Sequence, residues 1–191
     1  MLGQLPTTLD VNGTHRAIRP SYLNIFRIFS VFEADDLTDQ EKSLVFLRRM
    51  YVDFAAIPPA NYAAAYESAM RFIEAGEHKT KPSPRVIYWE KDEQMLFAAV
   101  NAAAGCEVRN QPDMHWWTFL GHFQNIDAEG TYGTILRIRA KRKKHKKLEK
   151  YEQEFYKANA EIIDELTPEQ KKKSAYDYMD ALFDELQKGG E

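Results

Sequence analysis

The residue types able to do chemistry are few in this chain, and they gather in two places. Asp113, His115 and His122 stand close together in sequence. Two imidazoles seven residues apart can share one face of a helix, as metal ligands do, but zinc takes three or four ligands and nothing nearby completes the set. His78 and His145 lie in polar segments, and Cys106 is the single cysteine, a residue that free in a chain is more often a small buried side chain than a nucleophile. Gly-rich phosphate loops, nucleophile elbows and paired-carboxylate spacings are absent. No enzyme, no metal and no cofactor is expected. The second cluster is cationic: Arg137, Arg139, Lys141, Arg142, Lys143, Lys144, Lys146 and Lys147. A helix bearing such a run can follow a phosphate backbone by releasing counterions. Against that, aromatic side chains are not interleaved with the cations, and Glu149, Glu152 and Glu154 follow at once. A solvated helix face with pairs four apart accounts for the pattern, and an acidic protein partner would use the same electrostatics. Nucleic acid binding through 137–147 is the alternative reading.

These residues need elements to position them. Trp116, Phe119, Leu120 and Phe123 recur at i, i+3, i+4 and i+7, an apolar stripe that Trp117 widens, with His115, Thr118 and His122 on the next face. Trp116, Trp117, Phe119 and Phe123 are the expected organisers of a core, because aromatics bury the most area. Asp113 as cap or Pro112 in the first turn would start this helix. Before it, Thr8-Leu9-Asp10-Val11, Asn12-Gly13 and Thr14-His15-Arg16-Ala17-Ile18 predict a hairpin with a type I′ turn. Ser21 caps a helix over 22–33, where Tyr22, Ile25, Phe26, Phe29 and Phe32 form a stripe and Leu23, Ile28 and Val31 leave little polar surface. Either that helix is central to the core or part of it, with Phe29 and Phe32, meets a partner.

Thr38-Asp39-Gln40-Glu41 is a capping box opening a helix through Leu44, Leu47 and Tyr51 to the break at Pro58-Pro59. Another helix is expected over 60–75, with Tyr62, Tyr66, Ala69, Phe72 and Ile73 inward and Gly76 at its left-handed end. Residues 77–85 read as a polar linker. Val86-Ile87-Tyr88-Trp89 is a short strand or extended lead-in, and Asp92 caps a helix closed by Gly105. After Gly130–Gly133 turn the chain, one long helix is expected from near Thr134, leaving the core past Ala140 and continuing with Leu148, Tyr151 and Phe155 at helical spacing. Thr167-Pro168-Glu169-Gln170 starts a last helix, with Ala175, Tyr178, Met179, Leu182 and Leu186 on one face.

The 191 residues carry a net charge of −3, so no global field draws the chain to nucleic acid or membrane. One cysteine excludes an intrachain disulfide and suits a reducing cytosol. No apolar run approaches the roughly 20 residues of a membrane span, and the start lacks a signal-peptide layout. The expected fold is mainly α: a single helical domain with a small N-terminal β-hairpin over 1–140, and an extended, charged C-terminal helical arm over 141–191.

Val86-x-Tyr88 leading to Asp92, then Asp113-Met114-His115-Trp116-Trp117-Thr118-Phe119, then Arg137-x-Arg139-x-Lys141, resemble the bacteriophage gp-fifteen family of siphophage and prophage tail modules. The opening from Leu5-Pro6-Thr7 to Asn12-Gly13 is similar as well. The likeness covers about residues 1–157, and His-Trp-Trp-x-Phe is its most specific piece. The resemblance implies a tail assembly chaperone that binds and solubilises the tape measure protein and helps recruit tail tube subunits. It would work in the cytoplasm of the bacterial host and be absent from the mature virion. The partners so implied are the tape measure protein and the tail tube protein, with self-association open. Phe29, Phe32, Arg137, Arg139, Lys141, Tyr178, Leu182 and Leu186 are the candidate partner-binding residues. The competing functions are a nucleic-acid-binding phage protein and a structural tail or head-completion protein.

Overall fold

Asn12 and Gly13 carry positive φ angles of 50° and 82°, as a two-residue type I′ turn demands. They join β1 (Thr8–Val11) to β2 (Thr14–Ala17), antiparallel, with Val11 opposite Thr14 and Thr8 opposite Ala17. The computed structural model describes residues 3–34, 36–75, 85–89 and 91–164. It is mainly helical, with this hairpin as its one sheet among the described residues, which is the class the sequence predicts. Two compact units divide those residues, one within Met1–His78 and Pro112–Thr118, the other within Lys79–Gln111 and Phe119–Leu166.

The first unit stacks the hairpin with α1 (Tyr22–Glu33), α2 (Asp39–Met50) and α3 (Tyr62–Ile73). Ser21 caps α1 by accepting from the Asn24 N–H, and Thr38 with Glu41 closes the capping box of α2. Tyr22, Ile25, Ile28 and Val31 are fully buried, whereas Phe26, Phe29 and Phe32 are only partly so. The core face of α1 is thus rotated from the aromatic stripe toward its β-branched residues, and α1 belongs to the core. Leu44, expected inward, is 41% exposed. Leu47, one turn on, takes the buried place. The helix stops at Met50 because Tyr51 turns extended, and Tyr51 buries itself by donating its hydroxyl to the Ala65 carbonyl at 2.8 Å. Burial pushes that phenol up to about 12. Arg19 donates to the carbonyls of Arg48, Arg49, Tyr51 and Val52 and so satisfies the end of α2. At the end of α3 the left-handed residue is Ala75, φ 53°; Gly76 and most of the expected linker lie outside the described residues.

In the second unit Arg85–Tyr88 is an extended lead-in rather than a strand. It feeds α4 (Glu93–Ala104), which ends at left-handed Gly105 as expected. The helix α5 (Trp116–Gln124) opens in the first unit and continues in the second from Phe119. Neither Asp113 nor Pro112 starts it: His115 Nδ1 accepts from the Trp117 N–H at 3.1 Å.

The single long helix expected after Gly133 is two. α6 (Thr131–Lys143) begins three residues earlier than predicted, and α7 (Lys150–Ile163) folds back on it. Gly133 sits where a Cβ would meet the Asp127 carbonyl oxygen at 2.4 Å, so only glycine lets α6 start against that turn. The break is a Schellman end: the Lys146 N–H bonds the Lys141 carbonyl and the His145 N–H the Arg142 carbonyl, with His145 left-handed at φ 51°. Glu149 and Glu152 then form a reciprocal capping box for α7. Ile135 and Ile138 of α6 bury with Ile163 of α7, flanked by Met95, Leu148, Phe155 and Tyr156.

Candidate functional site

Two constructions hold the residues that the sequence singled out. In the first unit, the paired tryptophans staple the end of α3. Trp116 Nε1 donates to the Ile73 carbonyl and Trp117 Nε1 to the Phe72 carbonyl, each at 2.8 Å. Helix ends leave four carbonyls without intrahelical partners, and two adjacent indoles satisfy two of them while burying large apolar area. Trp117 stacks on Phe72, and Trp116 receives the edges of Phe26 and Phe29. Phe32 leans on Phe46. Trp116 and Phe119 are buried; Trp117 and Phe123 are partly buried.

His115 is spent on backbone. Its Nδ1 caps α5, and its Nε2 faces the Pro6 carbonyl oxygen at 3.0 Å. Asp113 is exposed, and Cys106 is exposed with Gln111 donating to its sulfur. Among the described residues no group of three or more His, Cys, Asp or Glu side chains could hold a metal ion.

The second unit is built on the cationic run. Arg139 is buried, and its five N–H donors are all used: Nε to the Ile163 carbonyl, Nη1 to the Val86 carbonyl and Asp92 Oδ2, Nη2 to Asp92 Oδ1 and the Ile162 carbonyl. Its plane lies over the Tyr88 ring at 4.6 Å. Asp92 was expected to cap α4. Its carboxylate caps nothing and turns inward instead, taking Arg139, the Tyr88 N–H and the Tyr132 hydroxyl. Burial, with the Asp92 charge beside it, pushes the Tyr132 phenol far above its ordinary value.

Two residues either side of Arg139, about half a turn, Arg137 and Lys141 close on Glu152. Lys141 Nζ reaches both carboxylate oxygens at 2.7 Å, and Arg137 Nε stands at 3.3 Å while its Nη1 meets Glu129 at 2.8 Å. The Glu152 side chain has no exposed surface. Burial alone would raise its carboxyl. Hydrogen bonds from Lys141 and the Glu149 N–H, with the charges of Lys141 and Arg137, outweigh that and hold it below the ordinary value. The bond to Glu152 raises Lys141 in turn. Arg142 pairs with Asp164, which also accepts from the Tyr156 hydroxyl. Lys91 donates to the carbonyls of Glu161 and Asp164, and burial, with the Arg139 charge, lowers it.

Aromatic partners for the cations exist after all, but they arrive from other elements: Tyr151 beneath Arg137, Tyr88 beneath Arg139 and Tyr156 beneath Arg142. Arg137, Arg139 and Lys141 therefore bind α4 and α7 to α6. Lys144, Lys146 and Lys147 are exposed. Tyr178, Leu182 and Leu186 lie outside the described residues. The period of α6 hid the buried pair, since Arg139 sits one residue beyond Ile138 and its acceptors are 23 to 53 residues away in sequence.

A third feature had no sequence signal, since helical spacing turns Leu44 inward. Between α2 and α3 of the first unit runs a cleft of about 520 Å³, lined by Asp39, Leu44, Leu47, Tyr62, Tyr66 and Glu67 among others.

The family described as Bacteriophage Gp15 protein matches residues 1–164. No curated protein and no solved structure matches the chain. No helix among the described residues is long and apolar enough to cross a membrane.

Proposed function

The chain belongs to the Bacteriophage Gp15 protein family, and we propose that it acts in tail morphogenesis as an assembly chaperone. Family membership makes it a phage structural or morphogenesis protein. Within that class, the chaperone binds and solubilises the tape measure protein, helps recruit tail tube subunits, works in the host cytoplasm and leaves before the virion is complete. The observation that carries this reading is the family match over residues 1–164. The physics agrees with it: a long apolar helical protein cannot bury its own stripe, and a helical partner offering apolar surface covers it. The C-terminal stripe of Tyr178, Leu182 and Leu186 is the proposed contact. The internal use of Arg137, Arg139 and Lys141 weighs against a phosphate-backbone ligand at that helix.

Co-expression tests the proposal. The tape measure protein of the same phage should move from the pellet into a soluble complex, and glutamate at Tyr178, Leu182 and Leu186 should return most of it to the pellet. A tape measure protein that stays insoluble, or this protein found at stoichiometric levels in purified virions, overturns the reading.

A further inference from the structure

The bend between α6 and α7 is held against its own sequence. Lys144 to Glu149 contains no glycine, proline or β-branched residue, and lysine, leucine and glutamate rank among the better helix formers. Leu148, Tyr151 and Phe155 continue the helical spacing beyond it, so local preference alone would make one helix of 134–155. The fold interrupts that helix by placing His145 at φ 51°. Glycine takes this left-handed position freely, and an L side chain takes it under strain. Two end bonds hold the bend, from the Lys146 N–H to the Lys141 carbonyl and from the His145 N–H to the Arg142 carbonyl. A straight helix would give the same amides regular i−4 carbonyls without the strain.

We infer that this bend opens, that α6 and α7 straighten into one helix, and that α7 is exchanged with a second copy of this chain. Thr131 to Ala158 as one helix spans about 42 Å at 1.5 Å per residue, enough to carry α7 clear of its own α6. The seat left on α6 has specific demands. Ile135 and Ile138 need an apolar cover, Arg137 and Lys141 a carboxylate, and Arg139 the carbonyls of Ile162 and Ile163. The occupant that meets all of them is another copy's α7. Every α6–α7 contact is remade in the exchanged pair, so those contacts cancel between the two forms. Exchange gains the relief of the His145 strain, and it is opposed by the entropy of joining two chains and by charge. Glu149 stands beside Lys141 at 3.4 Å, so an incoming α7 lays its own bend against its neighbour's. Each bend exposes Arg142, Lys143, Lys144, Lys146 and Lys147. Their repulsion keeps the chains apart at low ionic strength and fades as salt screens it.

Charge-reversal complementation in the full chain tests the exchange. Lys141→Glu and Glu152→Lys chains are each made, then unfolded and refolded together. In a mixed exchanged dimer, the α6 of the Glu152→Lys chain, still bearing Lys141, receives the α7 of the Lys141→Glu chain, still bearing Glu152. The reversed pair forms at the other seat. Native mass spectrometry should find the mixed dimer exceeding either homodimer by about tenfold. A second measurement keeps the native contacts and varies the exposed bend alone. His145→Ala, a better helix former under more strain at positive φ, should raise the dimer fraction severalfold over the native chain at equal concentration, and His145→Gly should lower it. Raising salt from about 0.1 M to about 1 M, which shortens the screening length from about 10 Å to about 3 Å, should raise it too. Statistical mixing of the charge-reversed chains, no dimer in the His145→Ala chain, a dimer fraction indifferent to residue 145, or one that falls with salt would overturn the inference.

Discussion

Asp92 and Arg139, 47 residues apart in sequence, meet as a bidentate pair with nitrogen–oxygen distances of 2.5 and 2.9 Å, and neither side chain keeps more than 2% of its surface in contact with solvent. The pair joins the lead-in to α4, the middle of α6 and, through the Ile162 and Ile163 carbonyls, the end of α7.

Replacing Arg139 by Met should therefore cost about 3–5 kcal/mol, because the buried Asp92 carboxylate loses its guanidinium partner and the carbonyls of Val86, Ile162 and Ile163 lose a donor. Asp92→Leu should cost a similar amount. The double variant should cost clearly less than the sum of the two, with a coupling above about 1 kcal/mol in a denaturant-unfolding cycle. Additive losses would mean that the two side chains do not depend on each other.

Glu152 makes the second unit sensitive to acid. Its carboxyl is held below the ordinary 4.5, so the folded state binds that proton less readily than the unfolded chain does. The stabilisation is complete above pH 4.5 and is lost as pH falls through the lowered value. Glu152→Gln should reduce the melting temperature most at neutral pH, with the gap from the native protein closing as pH falls below 4.5. Glu107, held at about 2 by the Arg109 hydrogen bonds, titrates in both proteins and cancels from the comparison. A gap that is constant from pH 7 to 3 would contradict the assignment.

His145 occupies the left-handed position that helix ends usually give to glycine. The strained φ costs about 1–2 kcal/mol for an L residue, partly offset in a glycine variant by unfolded-chain entropy. His145→Gly should raise stability by about 0.5–1 kcal/mol. A decrease would show that its side chain contributes more than the backbone geometry implies.

The imidazole of His115 has its tautomer fixed by its neighbours. Nδ1 accepts from the Trp117 N–H, so Nε2 must carry the hydrogen it gives to the Pro6 carbonyl. Nitrogen NMR of the neutral ring should show the Nε2–H form alone. Trp116→Ala, which removes the neighbouring buried indole and its bond to Ile73, should cost about 3–5 kcal/mol. An unchanged melting temperature would place that indole outside the core.

The hairpin, the α2 capping box and the Gly105 stop were legible because each is decided within a few residues. Asn-Gly takes positive φ, Thr38 meets Glu41 three residues on, and glycine ends a helix wherever it must turn left-handed. The buried stripe of α5 was legible in part for a similar reason, since Trp116 and Phe119 announce themselves by area. What the tertiary structure decided is where polar groups found their partners. A carboxylate at a helix start is a cap by local rules, yet Asp92 has a buried guanidinium within reach, and a charged, multiply bonded pair outweighs one cap. A run of cations reads as solvated until α7 folds back and brings Glu152, Tyr151 and Tyr156 against it. That return itself hangs on His145 in a glycine's place, which no residue-type preference announces. Side-chain type and spacing determine which surfaces must be buried; only the folded arrangement determines which charges can be buried with them, because each needs donors and acceptors supplied from distant parts of the chain.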